Sequence, residues 1–156
     1  MNTQHKLPPA HHKLVYYQKT TVSKFNDVVQ DAKTVATSLG IVVPDNIKNK
    51  TTYKIIAGRR IQVLLPAVIY YLKIIFPDRT TVYKIGFTSM SVQQRINYFE
   101  LPPTAIVYVL GIYRCKCARE AYFLEQALHT RYKNFRYYGK QLLASGNTEL
   151  YVQPLM

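Results

Sequence analysis

The sequence predicts a small α+β fold, in which a three-stranded antiparallel sheet is flanked by helices and preceded by an N-terminal helix and hairpin extension. In the second half of the chain, β-rich runs and helical runs follow one another in the order β-β-α-β-α. The 156 residues suffice for one domain with a small appendage, and 48% hydrophobic residues can bury a core. We place the boundary so that residues 1–65 form the extension and residues 66–156 the main domain.

The extension is predicted to contain three parts. Residues 1–13 have little to bury and are expected to form a flexible basic arm. From Ser23 to Leu39 apolar side chains recur every three or four positions, which is typical of an amphipathic helix. The β-rich runs 53–57 and 61–65 flank a turn at Gly58-Arg59 and predict a hairpin.

The main domain begins with two β-rich runs that are separated by a turn containing Pro77 and Asp78. Ser91 and Gln94 then have the spacing of a helix capping box. The predicted elements are strands at 67–75 and 81–87, a helix at 91–100, a strand at 105–114 and a helix at 118–134.

The chain is strongly basic. Twenty-one Lys and Arg residues against eight Asp and Glu residues give a formal charge of +13. Residues 1–60 carry ten basic and three acidic side chains, and residues 61–156 carry eleven and five, so the charge is not confined to a tail. This distribution indicates a polyanionic partner such as nucleic acid or an anionic membrane surface.

Membrane insertion and export are not expected. The longest apolar run, Ile61–Ile75, is interrupted by polar residues and is shorter than the ~20 residues of a membrane span. The N-terminus lacks the apolar segment of a secretory signal. Cys115 and Cys117 are too few for a disulfide framework, and two reduced thiols are favoured over a zinc site. We therefore expect an intracellular protein, in the cytoplasm or nucleus, with no membrane partner.

One series of motifs resembles a known family. Val68-Ile69-Tyr70 is followed by Tyr83-Lys84-Ile85-Gly86, then by Arg95 and by Glu125 in the last long helix. This order and spacing resemble the GIY-YIG nuclease superfamily, in the branch from phages and large DNA viruses whose second signature reads Y-K-I-G. The resemblance covers residues 66–152 and leaves the first 65 unexplained.

The resemblance implies a metal-dependent endonuclease that hydrolyses nucleic-acid phosphodiester bonds, of DNA rather than RNA, with one Mg²⁺ or Mn²⁺ ion. It implies that Arg95 holds a phosphate, that Glu125 is the metal ligand and that Tyr70 deprotonates or positions the attacking water. Either Tyr83 or Tyr71 would hydrogen-bond the phosphate or that water. Lys84 replaces the usual tyrosine and would stabilise developing negative charge or lower the pKa of a neighbouring tyrosine.

Further positions extend this candidate site. Glu125 and His129 are four residues apart on one helix, so that they either converge on a metal or phosphate or form a solvated pair. Glu149 either belongs to the acidic-aromatic ending of the same branch or pairs with a Lys or Arg side chain. Asn134 and Asn147 are alternatives for a late asparagine. The predicted nucleic-acid contacts are Arg59, Arg60, Lys73, Arg131 and Lys133.

Two alternatives to catalysis remain open at this point. Because Lys84 alters the signature, the chain could be a non-catalytic, basic nucleic-acid-binding protein on the same fold. It could also be an interaction protein whose charge serves solubility or virion packing. If it cuts, one active site cuts one strand, so a double-strand break would require a homodimer or two visits.

Overall fold

The computed structural model of the chain describes residues 9–18, 22–38, 53–56, 59–62 and 66–156, except for the side chains of 22, 23, 53–56 and 59–62. The strands in these ranges are β1 (Val15–Tyr17), β2 (Tyr53–Ile56), β3 (Arg59–Gln62), β4 (Ala67–Ile75), β5 (Thr81–Thr88), β6 (Ile106–Cys115) and β7 (Leu150–Tyr151). The α-helices are α1 (Val22–Ser38), α2 (Val92–Asn97) and α3 (Ala118–Arg131).

The main sheet has five strands in the order β1-β6-β4-β5-β7, and β2 and β3 form a separate antiparallel pair. Strand β4 is antiparallel to both β5 and β6, as the sequence predicts. The prediction of a three-stranded antiparallel sheet is nevertheless wrong, because β1 adds a parallel edge strand beside β6 and β7 an antiparallel one beside β5. The sheet is therefore mixed, although the class remains α+β.

The two additional strands are too short to show a β pattern in the sequence. β1 has three residues and β7 has two. Both are held by backbone hydrogen bonds to strands that are distant in the sequence, such as the bond from the Gln18 amide to the Val109 carbonyl at 3.0 Å. Tertiary pairing, rather than local β propensity, therefore defines the edges of the sheet.

The central strand β4 is buried on both faces, which explains its nearly continuous apolar sequence. One core contains Phe25, Ile69, Tyr71, Leu124 and Leu128 and lies under α1 and α3. The other core lies under α2 and the C-terminal segment; its members include Tyr70, Leu72, Ile96, Phe99, Leu143 and Leu150. Neighbouring residues of β4 therefore contribute to different cores.

Helix α1 packs into the first core through Phe25, whose ring stacks on Tyr71 with centroids 5.8 Å apart. Gly111 of β6 makes room for this ring, because a Cβ atom there would lie 2.5 Å from the Phe25 Cγ atom. The predicted helix is confirmed as Val22–Ser38, and Leu39 lies outside the described residues. A tight contact between α1 and the sheet thus depends on one glycine.

The predicted arm is not free throughout. His12 is buried, its backbone amide donates to the Asn97 Oδ1 atom at 2.9 Å, and its Nε2 atom lies 2.7 Å from the Ala105 carbonyl oxygen. The expectation of a flexible arm is therefore wrong at this position, while residues 1–8 lie outside the described part. The predicted hairpin is confirmed in the pairing of β2 with β3, but Arg59, which is predicted to lie in the turn, begins β3, and residues 57–58 are not described. The division at residue 65 stays a prediction.

The later helices are found with shorter bounds than predicted. Both hydrogen bonds of the Ser91–Gln94 capping box are present at the start of α2. Helix α3 ends at Arg131, and a short 3-10 helix, Lys133–Phe135, follows it. No helix among the described residues is long and apolar enough to cross a membrane.

Candidate active site

Tyr70 and Gly86 are directly opposite each other on β4 and β5. The tyrosine ring covers the glycine, since a Cβ atom on Gly86 would lie 2.6 Å from the Tyr70 Cζ atom. The Tyr70 side chain is buried, and its hydroxyl makes no hydrogen bond to any described residue. Burial raises the pKa of Tyr70, Glu149 raises it further, and the nearby Arg95 guanidinium opposes this rise. Tyr70 therefore keeps its proton at neutral pH.

Lys84 lies on the same face of β5 as Gly86 and is fully buried. Its Nζ atom donates to the Glu149 Oε2 atom at 2.5 Å and to the Gly146 carbonyl oxygen at 3.0 Å. Burial lowers the pKa of Lys84, and Glu149 opposes that effect. The pKa of Tyr70 is raised overall because burial outweighs the nearby positive charge, so the effect of Lys84 on a neighbouring tyrosine's pKa stays a prediction.

Arg95 of α2 is half-buried beside Lys84. Its Cζ atom lies 5.1 Å from the centre of the Phe99 ring, and the Lys84 Nζ atom lies 5.2 Å from the same centre. One nitrogen of Arg95 donates to the Ser145 Oγ atom at 3.2 Å. Arg95 is more accessible than Lys84 and has further guanidinium donors, so it can contact an incoming anion.

Glu125 and His129 lie together on α3 and are both buried. The Glu125 Oε1 atom is 3.5 Å from the His129 Nε2 atom. The Glu125 Oε2 atom and the His129 Nε2 atom have no hydrogen-bond partner among the described residues. The His129 Nδ1 atom instead makes a very short hydrogen bond to the Tyr151 hydroxyl. A solvated pair on the helix surface is therefore the wrong interpretation of this spacing.

Glu149 lies close both to Lys84 and to the pair formed by Glu125 and His129. One ligand atom from each of Glu125, His129 and Glu149 lies within 4.8 Å of the other two, so this group could hold a metal ion. Glu149 is also the partner of Lys84, as one of its two interpretations expects. The charges of Arg95, Glu125 and Glu149 all act on Tyr70, so side chains from β4, α2, α3 and the C-terminal segment converge there.

Several predicted residues lie elsewhere. Tyr83 belongs to the opposite core, where its ring is 6.1 Å from that of Tyr71, and Lys73 is its cross-strand neighbour. Arg131 forms an exposed ion pair with Asp31 at 2.8 Å. Lys133 is exposed on the 3-10 helix. Arg59 and Arg60 lie in β3, and their side chains are outside the described part.

Two contributors, Tyr151 of the acidic-aromatic ending and Arg136, are not among the predicted site residues. Tyr151 orients His129, and Arg136 pairs with Tyr151 through an isolated backbone bridge. The Nε atom of Arg136 is buried without a hydrogen-bond partner in the described part of the chain. These roles arise from the edge pairing of β7, which no local pattern predicts.

The two asparagine candidates have different environments. The Asn147 Oδ1 atom accepts hydrogen bonds from the amides of Leu142 and Leu143 at 2.8 and 2.9 Å, whereas Asn134 is exposed. Asn147 therefore shapes the loop that precedes Glu149.

Comparison with known protein families identifies one domain that contains the whole candidate site. The family model of the T5orf172 domain matches residues 67–152, which include every residue that converges on Tyr70. This domain is phage-associated and related to nuclease-like families. No curated protein and no solved structure matches the chain.

Proposed function

The chain belongs to the T5orf172 domain family, and from this premise we propose that it is a metal-dependent endonuclease that hydrolyses nucleic-acid phosphodiester bonds, of DNA before RNA. The observation that supports this most is the convergence of Tyr70, Arg95 and Glu125 from three different elements. A phenol, a guanidinium and a carboxylate at one place can position water, phosphate and a divalent cation, respectively.

The donor set fits one divalent ion, Mg²⁺ or Mn²⁺. The Glu125 Oε2 atom is buried and has no hydrogen-bond partner in the described part of the chain, as expected of an oxygen that binds a cation. Lys84 and Arg95 carry two positive charges that offset the two negative charges of Glu125 and Glu149. A divalent ion on Glu125 would therefore give the site a net positive charge. When bound, it would neutralise the negative charge that develops on the phosphate.

Side chains of the protein itself bind the phosphate and position the reacting groups. The Arg95 guanidinium binds a phosphate oxygen with its donors that Ser145 does not occupy. Tyr70 keeps its proton and orients the phosphate or the attacking water by donating a hydrogen bond, so it is not the base. Lys84 is buried and acts through Glu149 as a positioning residue instead of touching the substrate.

The partner we propose is DNA, because the charge of +13 favours phosphate-rich surfaces and Lys133 adds an exposed cation after α3. A membrane partner has no part in this proposal. A homodimer would let two such sites cut both strands of a duplex. We retain an intracellular location as part of the same proposal.

One observation favours a second candidate, a basic nucleic-acid-binding protein that does not cut. Both the Tyr70 hydroxyl and the Lys84 ammonium group are buried, so neither faces an open surface. In that case binding would weaken steeply with salt, because phosphate contacts release counterions, and no product would form.

Incubation with supercoiled plasmid, single-stranded DNA or RNA separates the two candidates. With Mg²⁺ or Mn²⁺ we expect nicked plasmid, no product in the presence of EDTA, and no product from Glu125→Ala. Glu100→Ala removes an exposed carboxylate outside the site and serves as the matched control. Salt-sensitive binding without product under any of these conditions would favour the second candidate.

A further inference from the structure

We propose that Glu125, His129 and Glu149 form a single three-ligand site that selects Mn²⁺ over Mg²⁺, an inference that rests on the proposed function because it concerns the same ion. One ligand atom of each residue lies within 4.8 Å of the other two. Glu125 and His129 come from α3, whereas Glu149 immediately precedes β7. The site is therefore built from two elements that are distant in the sequence.

Two buried atoms in this cluster have no hydrogen-bond partner among the described residues, and this distinguishes the cluster from an ordinary group of charged residues. The Glu125 Oε2 atom and the His129 Nε2 atom make no hydrogen bond to any described residue. Their side chains are only 3% and 7% exposed. Because buried polar atoms almost always have hydrogen-bond partners, such atoms on two neighbouring side chains indicate a missing ligand.

Tyr151 prepares His129 for this role. Its hydroxyl hydrogen-bonds to the Nδ1 atom, and the two rings stack with centroids 5.7 Å apart. Metal-binding histidines usually hold their second nitrogen in such a bond, which fixes the ring orientation and the tautomer. With Nδ1 as the donor, Nε2 presents its lone pair toward Glu125, so Tyr151 is a positioning residue for the third ligand.

Glu149 is similarly held before any ion binds. The Lys84 ammonium group donates to its Oε2 atom at 2.5 Å and also to the Gly146 carbonyl oxygen, which precedes Glu149 by three residues. The lysine thereby offsets the repulsion between the carboxylates of Glu149 and Glu125. A site that is assembled in advance loses less conformational entropy when it binds an ion.

The presence of an imidazole determines the preferred metal. Mg²⁺ prefers oxygen ligands and gives up its waters reluctantly, so that it gains little from a histidine. Mn²⁺ shares the preference of Mg²⁺ for carboxylates, but it is a first-row transition ion and imidazole nitrogen binds such ions better than alkaline-earth ions. His129 should therefore contribute to affinity for Mn²⁺ and much less to affinity for Mg²⁺.

Titration of the full chain with Mn²⁺, followed by the electron paramagnetic resonance signal of the free ion, tests the ligand set without reference to cleavage. We expect one ion per chain, with an affinity about tenfold weaker in His129→Gln and in Glu149→Gln. Competition with Mg²⁺ should show that His129→Gln lowers the preference for Mn²⁺. Pulsed spectra should lose the nitrogen modulation of a bound imidazole in His129→Gln, and Glu100→Gln should match the wild type.

Because Glu149→Gln leaves Lys84 unpaired, the double variant Lys84→Met/Glu149→Gln provides a folded counterpart that also lacks the third ligand. Wild-type protein that binds no Mn²⁺, or His129→Gln that binds it as tightly as Glu100→Gln, would overturn this site. Mn²⁺ binding through His129 without cleavage of any substrate would retain the site and end the nuclease proposal. Cleavage by the wild type, together with unchanged Mn²⁺ affinity in His129→Gln, would overturn the three-ligand site and retain the nuclease proposal.

Discussion

The ammonium group of Lys84 and the carboxylate of Glu149, 65 positions apart in the sequence, meet at 2.5 Å. The lysine is fully buried, and the Glu149 side chain is 25% exposed. Lys84 stands where the resemblance to GIY-YIG nucleases leads one to expect a tyrosine. The altered signature therefore coincides with a second carboxylate that the lysine holds near Glu125.

The first prediction concerns the stability of this ion pair. Glu149→Gln should lower the free energy of unfolding by about 3 kcal/mol, because a buried ammonium group loses its counter-charge. The double variant Lys84→Met/Glu149→Gln should recover most of that loss, since it removes both charges. Urea titration of the two variants and of Lys84→Met gives the coupling energy. If the effects of Lys84→Met and Glu149→Gln added up to the effect of the double variant, the pair would not be coupled.

The second prediction concerns the contact between Tyr70 and Gly86. Gly86→Ala should cost about 1 to 3 kcal/mol, because the new methyl group would overlap the tyrosine ring. In a Tyr70→Ala background, the same substitution should be neutral or stabilising, since alanine is the better strand residue when space is available. Equilibrium unfolding of the four proteins tests this. The same cost in both backgrounds would rule out the ring as its cause.

The third prediction is that α1 is part of the main core. Phe25→Ala should lower the free energy of unfolding by about 3 to 5 kcal/mol, because the side chain is buried between Tyr71 and Gly111. The control Tyr138→Ala removes a ring that is 83% exposed and should change stability by less than about 0.5 kcal/mol. Similar effects of the two substitutions in urea unfolding would place Phe25 outside the core.

The fourth prediction concerns stability at alkaline pH. Burial raises the pKa of the Cys115 thiol to about 12, and Glu120 adds to this rise. A raised pKa in the folded state gives stability that is complete below the pKa of the unfolded thiol, about 8.5, and is lost as the pH rises toward 12. The free energy of unfolding should therefore fall between pH 8.5 and pH 10.5, more steeply in the wild type than in Cys115→Val. Parallel slopes would contradict this assignment.

The sequence predicts those parts of the structure that local patterns determine. The strong β propensity of residues 67–75 and the capping box at Ser91 are sufficient to identify β4 and the start of α2. The buried face of α3 can also be predicted from the sequence. Its residues Ala121, Leu124 and Leu128 recur at helical spacing, and all three are fully buried. For these elements, local propensity and tertiary packing favour the same structure.

The edges of the sheet and part of the site could not be predicted, because they depend on pairing between distant segments. β7 has two residues, yet its pairing with β5 brings Tyr151 to His129 and places Glu149 beside Lys84. Successive side chains of a strand point to opposite faces of the sheet, so Tyr83 lies in one core and Tyr70 in the other, although both tyrosines belong to the motifs. A sequence motif identifies the residues of a site, but it does not show on which face of the sheet each residue lies.

The most direct test of the proposed nuclease site measures binding and cleavage of one radiolabelled DNA substrate by Glu125→Gln and by its matched control Glu100→Gln, each with Mg²⁺ and with Mn²⁺. Glutamine preserves the volume of the side chain and removes the charge that a metal ion requires. We expect Glu125→Gln to bind DNA as the wild type does and to lose cleavage by at least about 100-fold, while Glu100→Gln cuts normally. Cleavage by Glu125→Gln at the wild-type rate would contradict the assignment of this site as the catalytic centre.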